Sequence, residues 1–129
     1  ETAAAYYEAG IRSHMEQMEM YSAASAIADP AIQTYIDAHP YNSGTGLEQI
    51  GTQYWIASFL NGPEAWSNFR RTGFPVLPAN PYPGDIPAGT FIRRLTYPVS
   101  ELSANTDNVD AAISVQGADK MDTRMWWDK

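Results

Sequence analysis

Three carboxylates, Glu48, Glu64 and Asp85, are the acidic residues best placed to supply a bond-cleaving pair. Glycoside hydrolysis needs two carboxyl groups facing one cleft, roughly 5–9.5 Å apart, one acting as acid and the other as base or nucleophile. Glu48 and Glu64, however, stand at the starts of predicted helices, where a carboxylate complements the positive end of the helix dipole. That use accounts for both of them without a cleft. His14 and His39 have no third ligand at helical spacing, so neither a metal site nor a general base is indicated. The run Asn105-Thr106-Asp107-Asn108-Val109-Asp110 is rich in oxygen donors, as a calcium loop would be. It lacks the central glycine and the distal glutamate such a loop needs, so a helix cap is the better reading. No Ser/His/Asp arrangement and no phosphate-cradling glycine loop appear, and no cofactor is implied. With no cysteine in the chain, thiol nucleophiles, disulfides and thiolate zinc sites are excluded.

The remaining candidates are binding groups. Tyr82, Tyr97, Trp126 and Trp127 fall in segments without helical periodicity, where an aromatic ring can stack on a sugar face. Packing of the coil onto the helices is the competing use. Arg70-Arg71 and Arg93-Arg94 offer forks that match carboxylates, but a helix C-terminus and internal ion pairs explain them as well. Trp55 and Trp66 sit among apolar helical neighbours and read as core, and Met15, Met18 and Met20 read as gap-fillers between helices.

The elements that must position these groups are mostly helices. Ala4, Tyr7, Ile11, Met15 and Met18 form one stripe, which predicts a helix over Thr2–Tyr21. Asp29-Pro30 reads as an N-cap with proline in the first turn, and Pro40 ends that second helix. Thr45-Gly46-Leu47-Glu48 has the pattern of a capping box. Leu47, Ile50, Tyr54, Ala57 and Leu60 then recur at three- and four-residue steps, predicting a packed face, which Trp55, Ile56 and Phe59 widen. Asn61-Gly62 suits a left-handed turn, Pro63 opens a fourth helix, and Gly73 with Pro75 closes it. Helices joined by short links suggest tetratricopeptide-like hairpins, although no clean 34-residue repeat is present.

After residue 73 the chain changes character. Pro75, Pro78, Pro81, Pro83, Pro87 and Pro98 forbid any long helix between Phe74 and Pro98. Thr90–Tyr97 suits a short extended segment, and Asn105–Val115 one short helix capped by Asp107 or Asn108. The expected class is therefore mainly α: helical hairpins over 1–73, then a proline-rich, largely irregular wrap over 74–129. One core is expected in 129 residues. Eight basic against 15 acidic residues, net −7, argue against a nucleic-acid partner. No run of eighteen apolar residues could span a bilayer as a helix, and the first residues show no signal-peptide pattern.

Residue order from Gln53 to Pro75 resembles one family. Gln53-Tyr54-Trp55-Ile56-Ala57, then Asn61-Gly62-x-Glu64-Ala65-Trp66, then Arg70-Arg71-Thr72-Gly73-Phe74-Pro75 look like the C-terminal signature of SusD/RagB outer-membrane nutrient-binding lipoproteins. Tyr7, Gly10, Ile11, Ser13 and Met15 resemble the helix leading into that region. Ile92-Arg93-Arg94-Leu95-Thr96-Tyr97-Pro98, with Glu101 and Asn105, and the closing Trp126-Trp127-Asp128 are similar to later family features. Tyr54 departs from the pattern, where a lysine is expected. Members are several times longer, so the resemblance implies a C-terminal part of such a protein. It further implies a tetratricopeptide-like superhelix at the cell surface, anchored by an N-terminal lipid outside this chain. Its expected work is non-catalytic capture of glycans or oligopeptides for a SusC-like TonB-dependent transporter, with most ligand contacts upstream of this chain. Two other classes compete: part of an α-helical glycan-degrading enzyme, which needs the acidic pair above, and a free-standing helical interaction module.

Overall fold

The computed structural model describes residues 2–79, 81, 82, 84 and 86–128. Asp85, one of the three carboxylates, and Pro83 lie outside the described residues. Six α-helices and two short 3-10 turns make up the regular structure, and no strand occurs among the described residues. The mainly α expectation holds. Two units are formed, Glu1–Trp66 and Ser67–Lys129, each with its own interior.

In the first unit α1 (Ala3–Gln17) packs on α2 (Asp29–Ala38) and touches α3 (Gly46–Ala57). Thr2 caps α1 by accepting from the Ala5 amide. The helix stops at Gln17, short of Tyr21, and the chain tightens into a 3-10 turn over Met18–Met20. Tyr7 and Ile11 from α1 meet Ile32 and Ile36 from α2, with Met15, Ile27, Tyr35 and Tyr41 around them. Of the predicted stripe, Tyr7 and Ile11 are buried and Met15 packs against them, while Ala4 and Met18 are only half-buried. Asp29 is not the N-cap: Ala28 holds that position and Asp29 is the first helical residue. Its carboxylate is drawn instead to Arg12 on α1, which also donates to Gln33 at 2.5 Å. An ion pair between helices has displaced a local cap.

The entry to α3 also differs from expectation. Thr45 makes no side-chain cap bond, because its backbone (φ −125°, ψ 17°) is not in the extended conformation that capping favours. Gln49 fastens the loop instead: its Oε1 accepts from the Asn42 amide at 2.7 Å and its Nε2 donates to the Pro40 carbonyl at 2.8 Å. The predicted packed face is exposed within this chain. Leu47, Ile50, Tyr54 and Leu60 all face solvent, while Gly46 and Gly51 are the buried residues of α3. A small-residue face lets neighbours approach closely, and the Tyr41 ring fills the space beside Gly46.

The turn into α4 (Gly62–Thr72) corrects another expectation. Gly62 begins the helix, and the left-handed residue is Leu60, at φ 69°. The Asn61 amide donates to the Ser58 carbonyl at 2.8 Å, closing a β-turn with Leu60 in its third position. Asn61 itself is taken up by the helix start, its carbonyl accepting from the Ala65 amide. Pro63 lies in the first turn as predicted, and the Tyr54 hydroxyl donates to Glu64 Oε1 at 2.5 Å.

The second unit begins within α4, at Ser67, and includes its last turns. From Phe74 the chain runs without regular structure to α5 (Val99–Ala104) and α6 (Thr106–Gln116). One short helix was expected here and two are present, because Pro98 starts a first helix that Asn105 ends. Asn105 is also the N-cap residue of α6, so neither Asp107 nor Asn108 fills that place. Residues 90–97 form no sheet ladder. They are held through the amides of Arg93 and Arg94, which both donate to the Met121 carbonyl.

Candidate functional site

Two features stand out, one in each unit. In the second, three arginines converge on aromatic rings and two carboxylates. Arg93 Nη1 donates to Asp128 Oδ1 at 2.8 Å, and Arg94 Nη2 donates to Asp119 Oδ1 at 2.9 Å. Asp119 also accepts from the Tyr97 amide at 3.2 Å. The Arg93 guanidinium lies 5.0 Å from the Phe69 ring centre, Arg94 5.0 Å from Tyr97, and Arg70 4.6 Å from Trp127. Phe69 and Phe91 meet edge to face at 5.1 Å. Arg70 Nη1 donates to the Arg93 carbonyl at 2.6 Å. Burial lowers the Arg70 pKa, with Asp128 opposing that shift and Arg93 adding to it. Arg93 and Arg94 are each paired with a carboxylate and all three guanidinium groups lie over aromatic rings inside the unit, as the ion-pair reading expected for Arg93 and Arg94.

This cluster fixes where two of the four candidate rings sit. Tyr97 lies under Arg94 and its hydroxyl accepts from Gln116 Nε2 at 2.6 Å, while Trp127 lies against Arg70. Tyr82 and Trp126 expose their rings, Trp126 to 92%. Arg71 donates to Asn68 one turn earlier on α4. The carboxylate partners were not legible beforehand: Asp119 and Asp128 lie 25 and 35 residues beyond the arginines they hold, with no local signal linking them.

The first unit carries an open groove of about 1110 Å³ between α1 and α3, walled by Tyr6, Tyr7, Tyr21, Tyr35, Tyr54 and Phe59. Its floor has a short polar relay. The Tyr35 hydroxyl donates to Gln53 Oε1 at 3.1 Å, and Gln53 also bonds Tyr7. Burial raises the Tyr7 pKa above its ordinary value, outweighing the Gln53 bond. His14 opens onto this groove, whereas His39 stacks on Tyr35 at 4.2 Å and its Nδ1 meets the Tyr35 carbonyl. The two histidines have separate surroundings. Among the described residues no group of three or more His, Cys, Asp or Glu could hold a metal, and the Asn105–Asp110 run lies at the start of α6. Glu48 and Glu64 occupy the first turns of α3 and α4, and Glu64 is engaged by Tyr54.

The order of these elements has counterparts. A family model described as Susd and RagB outer membrane lipoprotein matches residues 21–128. The chain belongs to that family. Solved SusD-like structures superpose over nearly all of it. A chitin-binding protein is 36% identical with a TM-score of 0.87, covering 99% of this chain and 28% of its own. A SusD-like protein from Bacteroidetes is 33% identical with a TM-score of 0.83, covering 100% of this chain and 26% of its own. A SusD homologue from Bacteroides uniformis is 30% identical with a TM-score of 0.75, covering 100% of this chain and 32% of its own. This SusD-like chain therefore spans about a quarter to a third of the solved relatives it matches. No curated protein matches it. No helix among the described residues is long and apolar enough to cross a membrane.

Proposed function

We propose that these residues form the C-terminal part of a SusD-like lipoprotein that captures nutrient at the bacterial surface without cleaving it. The family match over residues 21–128 carries this reading. A structural relative whose name states chitin binding, 36% identical over 99% of the chain, favours a glycan as the captured nutrient over an oligopeptide. An N-terminal lipid outside these residues holds the protein at the outer membrane. The ligand passes to a SusC-like TonB-dependent transporter, for which the whole protein serves as a lid. Within this chain, stacking on ligand falls to the rings that are most exposed, Tyr82 and Trp126. The first carboxylate pair that hydrolysis would call on, Glu48 and Glu64, is used at helix starts.

Isothermal titration of the full-length protein against glycan and oligopeptide panels tests the proposal. Saturable heat with at least one glycan class supports it. Silence across both panels contradicts it.

A further inference from the structure

Asn61-Gly62, at the turn into α4, has a chemistry that nutrient capture does not use. An asparagine carboxamide can be attacked by the backbone nitrogen of the residue that follows, and glycine, having no Cβ, shields that nitrogen least. Both residues are exposed within this chain, and nothing lies within 4 Å of a Cβ built on Gly62. The Gly62 amide opens α4, where the first N–H groups of a helix have no intrahelical acceptor. It donates to no group among the described residues, and the Asn61 carboxamide has no hydrogen-bond partner among them. The positive end of α4 lowers the cost of an anionic nitrogen there, and of the carboxylate that results.

The other asparagines are held or blocked. Asn42 Oδ1 accepts from the Gly44 amide at 2.9 Å, Asn68 Oδ1 from Arg71 Nη2 at 2.6 Å, and Asn105 Oδ1 from Asn108 Nδ2 at 2.5 Å. Each of these four is followed by a residue with a side chain. Asn80 precedes Pro81, whose nitrogen carries no proton to lose.

We propose that Asn61-Gly62 is a site of spontaneous deamidation in the folded protein, with water as the only co-reactant. Gly62 N gives up its proton to hydroxide and bonds to Asn61 Cγ. The Cγ–Nδ2 bond breaks, ammonia leaves, and a cyclic imide closes. Water then opens the ring at either carbonyl. Attack at Cγ releases the nitrogen from Cγ and restores the normal main chain, with aspartate at position 61. Attack at the backbone carbonyl leaves the main chain running through Cβ and Cγ, as isoaspartate. Both products add a negative charge at the start of α4. The second also turns the carbonyl that accepts from the Ala65 amide into a free carboxylate, displacing the acceptor of the first α4 hydrogen bond. None of this depends on which ligand the protein captures.

The test incubates the folded full-length protein in mildly alkaline buffer and follows its chymotryptic peptides by mass spectrometry. The Asn61 peptide is expected to convert into two chromatographically distinct deamidated forms, isoaspartate in excess, severalfold faster than any peptide holding Asn42, Asn68, Asn105 or Asn108. Gly62→Ala, which the open space around Gly62 accommodates, is expected to slow that conversion severalfold. Conversion at Asn61 no faster than at the other asparagines, or unaffected by Gly62→Ala, would overturn the proposal. So would conversion confined to urea-unfolded protein, which would mean that the fold shields the site.

Discussion

Arg93 Nη1 lies 2.8 Å from Asp128 Oδ1, and the two side chains are only 8% and 0% exposed. Arg124 reaches the same carboxylate oxygen from the surface at 3.4 Å. A buried pair of this kind brings a desolvation cost that its attraction roughly offsets, but losing one partner leaves a bare charge inside. Asp128→Ala in the full-length protein should therefore destabilise by about 3–5 kcal/mol in chemical denaturation. Replacing both partners, Arg93→Met with Asp128→Leu, should recover most of that loss. A double variant no more stable than Asp128→Ala would show that the pairing account is wrong.

Trp126 and Trp127 are neighbours with opposite expected behaviour. Trp127 lies against the Arg70 guanidinium, so Trp127→Ala should cost about 2–3 kcal/mol of stability through lost packing and lost cation–π attraction. Trp126→Ala should change stability by no more than about 0.5 kcal/mol. Its glycan affinity should instead weaken about tenfold, the scale of one lost stacking contact. Equal effects of the two variants on stability would refute the division.

Two glycines separate in the same way. A Cβ at Gly46 would come within 2.9 Å of Tyr41 Cζ, and nothing lies within 4 Å of a Cβ at Gly10. Gly46→Ala should destabilise by about 1–3 kcal/mol through overpacking. Gly10→Ala, inside α1, should stabilise by about 0.5–1 kcal/mol because alanine loses less backbone freedom on folding. Thermal melts of the two variants settle the sign of each.

Tyr7 makes stability depend on alkaline pH. Burial raises its pKa in the folded state, so the folded protein keeps a proton that the unfolded chain releases above about pH 10. Its contribution is fully present below that pH and is lost as pH rises through the folded value. Stability measured against pH should fall more steeply above about pH 10 in the wild type than in Tyr7→Phe. Superimposable curves would remove Tyr7 from the account.

Much of the helical layer could be read directly, and the failures have a common cause. Pro40 ended α2 and Pro63 took its place in the first turn of α4, because proline acts through its own ring and missing N–H. Tyr7 and Ile11 of the α1 stripe were buried because their partner, α2, lies in the same chain and packs on α1. Expectations failed where another group competed for the same role. Arg12 took Asp29 from its cap, Gln49 did the work assigned to Thr45, and the Ser58–Asn61 turn moved positive φ from Gly62 to Leu60. The arginine cluster was anticipated as internal ion pairs, but Asp119 and Asp128 could not be assigned, since contacts across 25 or 35 residues leave no periodic trace. The periodicity of Leu47, Ile50, Tyr54 and Leu60 predicted a packed face, yet all four are exposed within this chain, since periodicity alone does not supply a partner.

The central claim is capture without cleavage, and the most direct measurement is to saturate the full-length protein with a binding glycan and weigh the recovered ligand by mass spectrometry. Intact ligand, released at its starting mass after prolonged incubation, is the predicted result. Ligand shortened at a glycosidic bond, with the shortening lost in Glu64→Gln, would contradict it.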